Sequence, residues 1–303
     1  MSISKLIPLA EAIGRFVPDG SSVAAGLGLE ASIPFAAGHE IMRQRKRGLT
    51  LIGPISDMLF DQMIGAGCVQ RVQAAWVGNV ITGSGYNFRR AVESGALQVE
   101  DHSNLTIAMA LKAAAMGVSF MPVATALGSD LCTAHPGLKP IACPFTGGPL
   151  AAVAAIAPDV ALIHVQRADA SGSAHVWGNL GVMRDACLAA RHVVITAEEM
   201  VPAAVITSDP NRVILPGFRV SAVCHVPGGA HPAPVAGCYN RDHRAFIDYR
   251  NASRTPEAFA RWQERWVDTP KSRDDYLRLL GAERLSELAL RNHLFSAPVD
   301  YGY

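Results

Sequence analysis

The chain has 303 residues, half of them hydrophobic and 17% charged, with a formal net charge of +1. That length accommodates one large α/β domain or two small ones, and so few charges suit a large core and a surface partly covered by a partner. A near-neutral balance, with no Lys/Arg block beyond residues 43–47, argues against nucleic acid as the main ligand. Leu6, Leu9, Ile13 and Phe16 recur at helical spacing and predict an opening helix that stops at Pro18. Asp19-Gly20 then turns into a short apolar strand, Val23-Ala24-Ala25, which runs into the glycine-rich loop Gly26-Leu27-Gly28. Pro34 is expected at the first position of a helix over 34–47, with a basic last turn and Gly48 as its left-handed stop.

Residues 49–52 read as a buried strand ending at Gly53-Pro54, 58–64 as a helix and 69–77 as a strand. A helix over 87–93 stops at Gly95, a strand covers 97–99, and an alanine-rich helix covers 103–116, capped by Ser103 or Asp101 and closed by Gly117. The rhythm resumes with a strand at 160–165, a helix at 183–190 and a strand at 193–196. Beyond Val213, Pro-Gly turns break up short strands (220–226), and 256–266 and 274–291 read as helices. This alternation predicts an α/β fold: a largely parallel open sheet with helices on both faces. No low-complexity linker interrupts it, so residues 1–303 are expected to form a single domain, with a core over about 1–245 and a C-terminal helical extension over about 246–303 packed on it.

The six cysteines, Cys68, Cys132, Cys143, Cys187, Cys224 and Cys238, lie scattered without CxxC spacing and read as buried reduced thiols of a cytoplasmic protein. Acidic Glu11 and Asp19 near the start do not suit a signal peptide, and apolar stretches such as 108–120 are too short to span a bilayer, so no membrane partner is expected. The ten histidines form no ligand spacing, so no metal is expected. Motifs of serine hydrolases and P-loop nucleotide enzymes are absent, and Gly26-Leu27-Gly28 lacks the third glycine of a dinucleotide fingerprint.

Ligands of open α/β sheets bind beyond the carboxyl ends of the strands. The residues that follow each strand are therefore the candidates. Gly26, Leu27 and Gly28 lead from a strand towards a helix start and can aim backbone N–H groups at an anion or a developing oxyanion. Gly78-Asn79 and Ser84-Gly85-Tyr86-Asn87 offer hydroxyl and amide groups to an acid substrate, or form an ordinary loop. Glu100-Asp101-His102-Ser103-Asn104 caps a helix, or places Glu100 or Asp101 at a pocket mouth as a general base. His175, the Glu198-Glu199 pair and His231 in Pro227-Gly-Gly-Ala-His231-Pro read first as packed or solvated structure.

The opening stretch also resembles the N-terminal signature of the family I CoA-transferases, with Asp19, Gly20, Val23, Ala24, Ala25, Gly26 and Pro34 in register. Leu27, Gly28 and Ser32 depart from it, where the family carries glycine, phenylalanine and glycine. Further blocks are similar to the A subunits of the glutaconate CoA-transferase group: residues 49–54, 64–67, 87–93, 113–118, 127–130, 158–169, 195–199 and 226–232.

The resemblance implies the fold shared by CoA-transferases and sugar-phosphate isomerases. It also implies a heteromer in which a partner B subunit supplies the glutamate nucleophile, and coenzyme A as a co-substrate with no tightly bound cofactor. This chain would then give half a pocket: N–H groups at Gly26, Leu27 and Gly28, and side chains at Ser32, Ser84, Asn87, Ser103 and Asn104 for the acid. Relatives that cleave a ring of a steroid-derived acyl-CoA with water use a glutamate of their own A subunits, for which Glu100 is the nearest match here. A third reading is a non-catalytic domain that senses small ligands.

Overall fold

The computed structural model describes residues 4–290; the end of the expected C-terminal extension, residues 291–303, lies outside the described residues. Seven strands form the main path of the central sheet: β1 (Ser22–Ala24), β2 (Leu49–Ile55), β3 (Val69–Trp76), β4 (Gln98–Asp101), β5 (Val160–Ala168), β6 (His192–Met200) and β7 (Ala222–His225). They lie in the order β7-β6-β5-β1-β2-β3-β4, every neighbouring pair parallel, and Ala174–His175 folds back antiparallel on β5.

Alternation along β5 explains its position at the centre. Val160 and Leu162 point to one buried cluster, Ala161, Ile163 and Val165 to another, so both faces are covered and the strand reads as continuously apolar. The first face carries α1 (Leu9–Phe16), α2 (Phe35–Arg43) and α3 (Leu59–Gly65). The second carries α5 (Asn104–Ala115) and α6 (Met183–Ala189); α4 (Tyr86–Glu93) packs beside α3. Among the described residues, four further α-helices follow β7: α7 (His243–Ala252), α8 (Pro256–Gln263), α9 (Arg273–Leu280) and α10 (Ala282–Leu288). Phe246, Tyr249 and Phe259 from these join the same buried cluster as Phe35 and Phe60.

Several boundaries differ from expectation for physical reasons; the single helix expected over 274–291 breaks at Gly281, φ +93°, into α9 and α10. Strand β2 runs through Gly53-Pro54 to Ile55, because β1 has already ended where the missing N–H of Pro54 would have been needed. Pro34 sits just before α2 rather than within it, and α2 stops at Arg43 in a turn that takes Arg45 to φ +53°. Strand β6 continues to Met200, so Glu198 and Glu199 belong to the strand and do not follow it. Of residues 220–226, only Ala222–His225 form a strand, the parallel edge strand β7.

A separate three-stranded antiparallel sheet, Phe120–Val123, Pro149–Ala154 and Leu138–Ala142, was not foreseen. It packs Val123, Leu138, Ala151 and Val153 against Ala110 of α5. Its strands are rich in alanine and proline, residues with little strand preference, so the pattern carried no signal. No helix among the described residues is long and apolar enough to cross a membrane.

Candidate functional site

Where β1 leaves the sheet, Gly26 takes φ +67°, and a Cβ there would fall 2.5 Å from Cα of Ser56. The exit loop of β1 therefore lies directly on the exit turn of β2, a closeness only glycine permits. Three non-glycine residues in these two loops, Leu29, Ser32 and Asp57, also hold positive φ, of 62°, 52° and 52°. Left-handed backbone at bulky residues concentrates where surrounding structure enforces a working geometry.

Gly26, Leu27 and Gly28 are buried, yet their N–H groups donate to no acceptor among the described residues. Two of the carbonyls are used: Leu27 accepts from the N–H of Val182 at 2.9 Å and Gly28 from that of Ala31 at 3.3 Å. Buried orphan N–H groups are rare in folded proteins, and three in succession form a donor set for an oxygen from elsewhere. Beside them the hydroxyl of Ser56, on a fully buried residue, also has no partner.

Asp57 follows Ser56 and is likewise buried. Its carboxylate accepts from Asn79 Nδ2 at 2.8 Å and from Arg241 Nη2 at 2.5 Å. Burial pushes this carboxyl up from its ordinary range, against the pull of Arg241 and Asn79. Arg241 Nη1 also stands 3.4 Å from Glu30 Oε2 in the loop after β1.

The structure brings some of the expected site residues together and separates others. Gly26, Leu27, Gly28 and Ser32 share one loop, with the N–H of Ser32 bonded to the Pro234 carbonyl at 2.9 Å. Ser84 is half-buried in the hairpin that pairs Gly83–Ser84 with Gly78–Asn79, and Asn79 of that hairpin reaches Asp57. Asn87 is committed elsewhere: Nδ2 donates to Asp61 at 3.2 Å and lies 3.1 Å from the Tyr249 hydroxyl, and its carbonyl accepts from Arg90. Ser103 caps α5 in a reciprocal box with Thr106, and Asn104 is exposed as the first residue of that helix. Glu100 pairs with Arg71 at 2.9 Å and accepts from Gln73 at 2.6 Å, while Asp101 is exposed at the strand end. Strand β4 lies three places from β1, roughly 14 Å at normal strand spacing, so this group does not reach the glycine loop within the chain.

The remaining candidates are engaged by other residues of the chain. His175 accepts from Arg167 Nε at 3.0 Å and donates through Nε2 to the Ile206 carbonyl at 2.8 Å. Glu198 meets His164 at 2.5 Å, the Tyr239 hydroxyl at 2.8 Å and the N–H of Gly228 at 2.7 Å. His231 lies between the Tyr276 hydroxyl at 2.8 Å and Asp242 at 3.0 Å. Burial lowers the pKa of His231; burial also pushes Asp242 up, but hydrogen bonds from His231 and Arg284 outweigh it and hold that carboxyl well below the carboxylate range.

A cavity of about 910 Å³ opens among α7 to α10, lined by His39, Tyr249, Trp262, Trp266 and Tyr276 and by none of the glycine-loop residues. No group of three or more ligating side chains among the described residues could hold a metal. Ser56 and Asp57 fall in a stretch that strand ends single out. Arg241, 184 residues further on than Asp57, left no mark in the sequence pattern.

Residues 7–225 match the family described as Coenzyme A transferase. The chain is similar to the 3-oxoadipate CoA-transferase A subunit of Pseudomonas knackmussii, at 40% identity over 90% of this chain and 97% of that one. It is 34% identical to the glutaconate CoA-transferase A subunit of Acidaminococcus fermentans, over 94% and 95% of the two chains. The crystal structure of that enzyme superposes with a TM-score of 0.91, covering 98% of this chain and 99% of the other. A cholesterol ring-cleaving hydrolase subunit of Rhodococcus jostii is more distant, 27% identical over 90% of this chain and 94% of its own length. By sequence and by fold, the chain belongs to the coenzyme A transferase family.

Proposed function

We propose that this chain is the A subunit of a heteromeric CoA-transferase that moves coenzyme A from an acyl-CoA to a free carboxylic acid, a dicarboxylic acid being the first candidate. The observation that carries the reading is the run of buried, unpaired N–H groups at Gly26, Leu27 and Gly28 beside the unpaired Ser56 hydroxyl. The choice of a dicarboxylic acid leans on two relatives named for 3-oxoadipate and glutaconate.

In this mechanism the thioester carbonyl is attacked by a glutamate carboxylate from the partner B subunit. The tetrahedral adduct expels the CoA thiolate to leave an acyl-glutamyl anhydride. The thiolate then attacks the glutamyl carbonyl, releases the first acid as its carboxylate and leaves a glutamyl-CoA thioester. A second acid reverses the sequence. Each addition places negative charge on a carbonyl oxygen, and preorganised donors in a water-poor site stabilise such charge best. Gly26, Leu27, Gly28 and Ser56 supply those donors, with Ser32 in the same loop and Ser84 in the hairpin after β3 offered to the acid.

The hydrolase alternative needs a free acid on this chain, and Glu100 is occupied by Arg71 and Gln73. Reduced cysteines suit a cytoplasmic setting; all six are free, although Cys132, Cys143 and Cys238 are only half-buried, contrary to expectation.

The test is reconstitution with the B subunit. Alone, the chain is expected to be inactive; the pair transfers CoA to an acceptor acid, and hydroxylamine trapping marks the B subunit. Release of a hydrolysed product without any acceptor acid overturns the reading.

A further inference from the structure

We infer that Arg241 is a positioning residue of this site, a clasp reaching back from beyond the family-matched residues 7–225 to hold the exit loops of three adjacent strands. The inference rests on the transferase reading for its catalytic consequence, and on the geometry alone for its structural one.

One guanidinium touches all three loops, directly or through a single side chain. Its Nη2 lies 2.5 Å from Asp57, in the turn after β2. Its Nη1 lies 3.4 Å from the half-exposed Glu30, in the loop after β1, an ion pair without a hydrogen bond. Asp57 in turn accepts from Asn79 Nδ2 at 2.8 Å, and Asn79 Oδ1 accepts the N–H groups of Ile81 and Thr82 at 2.9 and 3.0 Å, which shapes the hairpin after β3. Strands β1, β2 and β3 are neighbours, so the clasp gathers one side of the sheet rim.

The clasp is itself held rigid. The Arg241 guanidinium lies over the Phe246 ring, 4.2 Å from its centre, and its side chain is only 10% exposed. Tyr239 is tied to Glu198, and Asp242 caps α7 through the N–H of Ala245 at 2.8 Å while binding Arg284 and His231. The same segment closes over the glycine loop through its backbone: Gly229 accepts from Ala36, and Pro234 from Ser32, both at 2.9 Å. A side chain locked by packing and by paired neighbours is what holds a catalytic loop to sub-ångström tolerance.

What the clasp positions is the donor set. Ser56 precedes Asp57 and lies against Gly26, so a shift of Asp57 moves the Ser56 hydroxyl and the N–H groups together. Without the cation, Asp57 becomes a buried carboxylate at a positive φ with only the neutral Asn79 amide beside it, and must take a proton or move outward.

The experiment uses the reconstituted complex, with Arg241→Met, Arg241→Lys and the double variant Arg241→Met/Asp57→Asn. Hydrogen exchange by mass spectrometry reads the loops without needing activity. In Arg241→Met, peptides spanning 26–36 and 77–88 are expected to exchange at least about tenfold faster while the β5 peptide stays protected. In kinetics, kcat is expected to fall by about tenfold or more with KM changed far less, because the donors act on the transition state. Arg241→Lys keeps the charge but not the stack or the second contact, so it restores melting temperature further than kcat. The double variant removes the lone carboxylate and is expected to regain melting temperature without regaining kcat. Unchanged loop exchange overturns the clasp, and so does a kcat that recovers together with stability in the double variant. Lack of CoA transfer by the wild-type complex refutes the transferase reading instead, and the exchange measurement still decides the clasp.

Discussion

His102 and His135 meet through their Nε2 atoms at 3.1 Å, joining the start of α5 to the three-stranded antiparallel sheet. Their protons are dictated by the surroundings. The N–H of Gly137 donates to His135 Nδ1 at 2.9 Å, so His135 carries its proton on Nε2 and donates it to His102. His102 then carries its own on Nδ1, facing the Thr106 hydroxyl at 3.2 Å. Both rings are neutral, and a further proton on either sets two donors face to face.

Burial lowers both pKa values, that of His102 from 6.5 to about 4. The unfolded chain therefore takes up these protons first. Stability from the pair is complete above about pH 6.5 and is lost as pH falls towards 4, by up to about 3 kcal/mol. Thermal melting between pH 7.5 and 4.5 checks this. The double variant His102→Gln/His135→Gln should melt lower at pH 7.5 and show a flatter acid slope than wild type.

Gly26→Val forces a branched side chain into a left-handed position already occupied by Ser56. Turnover of the assembled pair is expected to vanish while the two subunits still co-elute in size-exclusion chromatography. Normal turnover in this variant would place the pocket elsewhere.

Ser56→Ala separates chemistry from stability. The hydroxyl has no protein partner, so its removal leaves none unpaired, and the melting temperature should hold within about 2 °C. If the hydroxyl helps bind the oxyanion, kcat falls by about tenfold to a hundredfold.

Asn87→Ala is expected to do the reverse. It strips partners from Asp61 and Tyr249 in a buried cluster linking α3, α4 and α7. Burial already pushes the Asp61 carboxyl up, so losing a donor raises it further. A loss of about 1–3 kcal/mol in urea unfolding, with KM for the acid unchanged, separates this role from substrate binding.

The parts legible in the sequence are those where one short-range cause dominates. The unbroken apolar run of β5 announces a strand covered on both faces. Gly48 and Gly117 mark turns at φ +67° and +71° because little else tolerates them. Ser103 was identifiable as a cap, though its partner in the box is threonine. Illegible features depend on partners remote in sequence. Glu198 looks like a solvated loop acid until His164, Tyr239 and Gly228 enclose it within β6. Asn87 looks like a loop amide until Tyr249 arrives from 162 residues away. At the site, the glycine loop was readable from its own residues, whereas Ser56 matters only because Gly26 lets it approach.

Strand β1 is three residues long, and its neighbours β2 and β5 both outrun it. After the N–H of Ala25 bonds Ile52 at 3.0 Å, the next three amides leave the ladder while still inside the protein. Early truncation of a central strand thus leaves ordinary sheet hydrogen-bonding capacity unused and open to an oxygen from outside the sheet. An insertion that prolonged β1 would commit it to the ladder and, in the proposed mechanism, lower turnover.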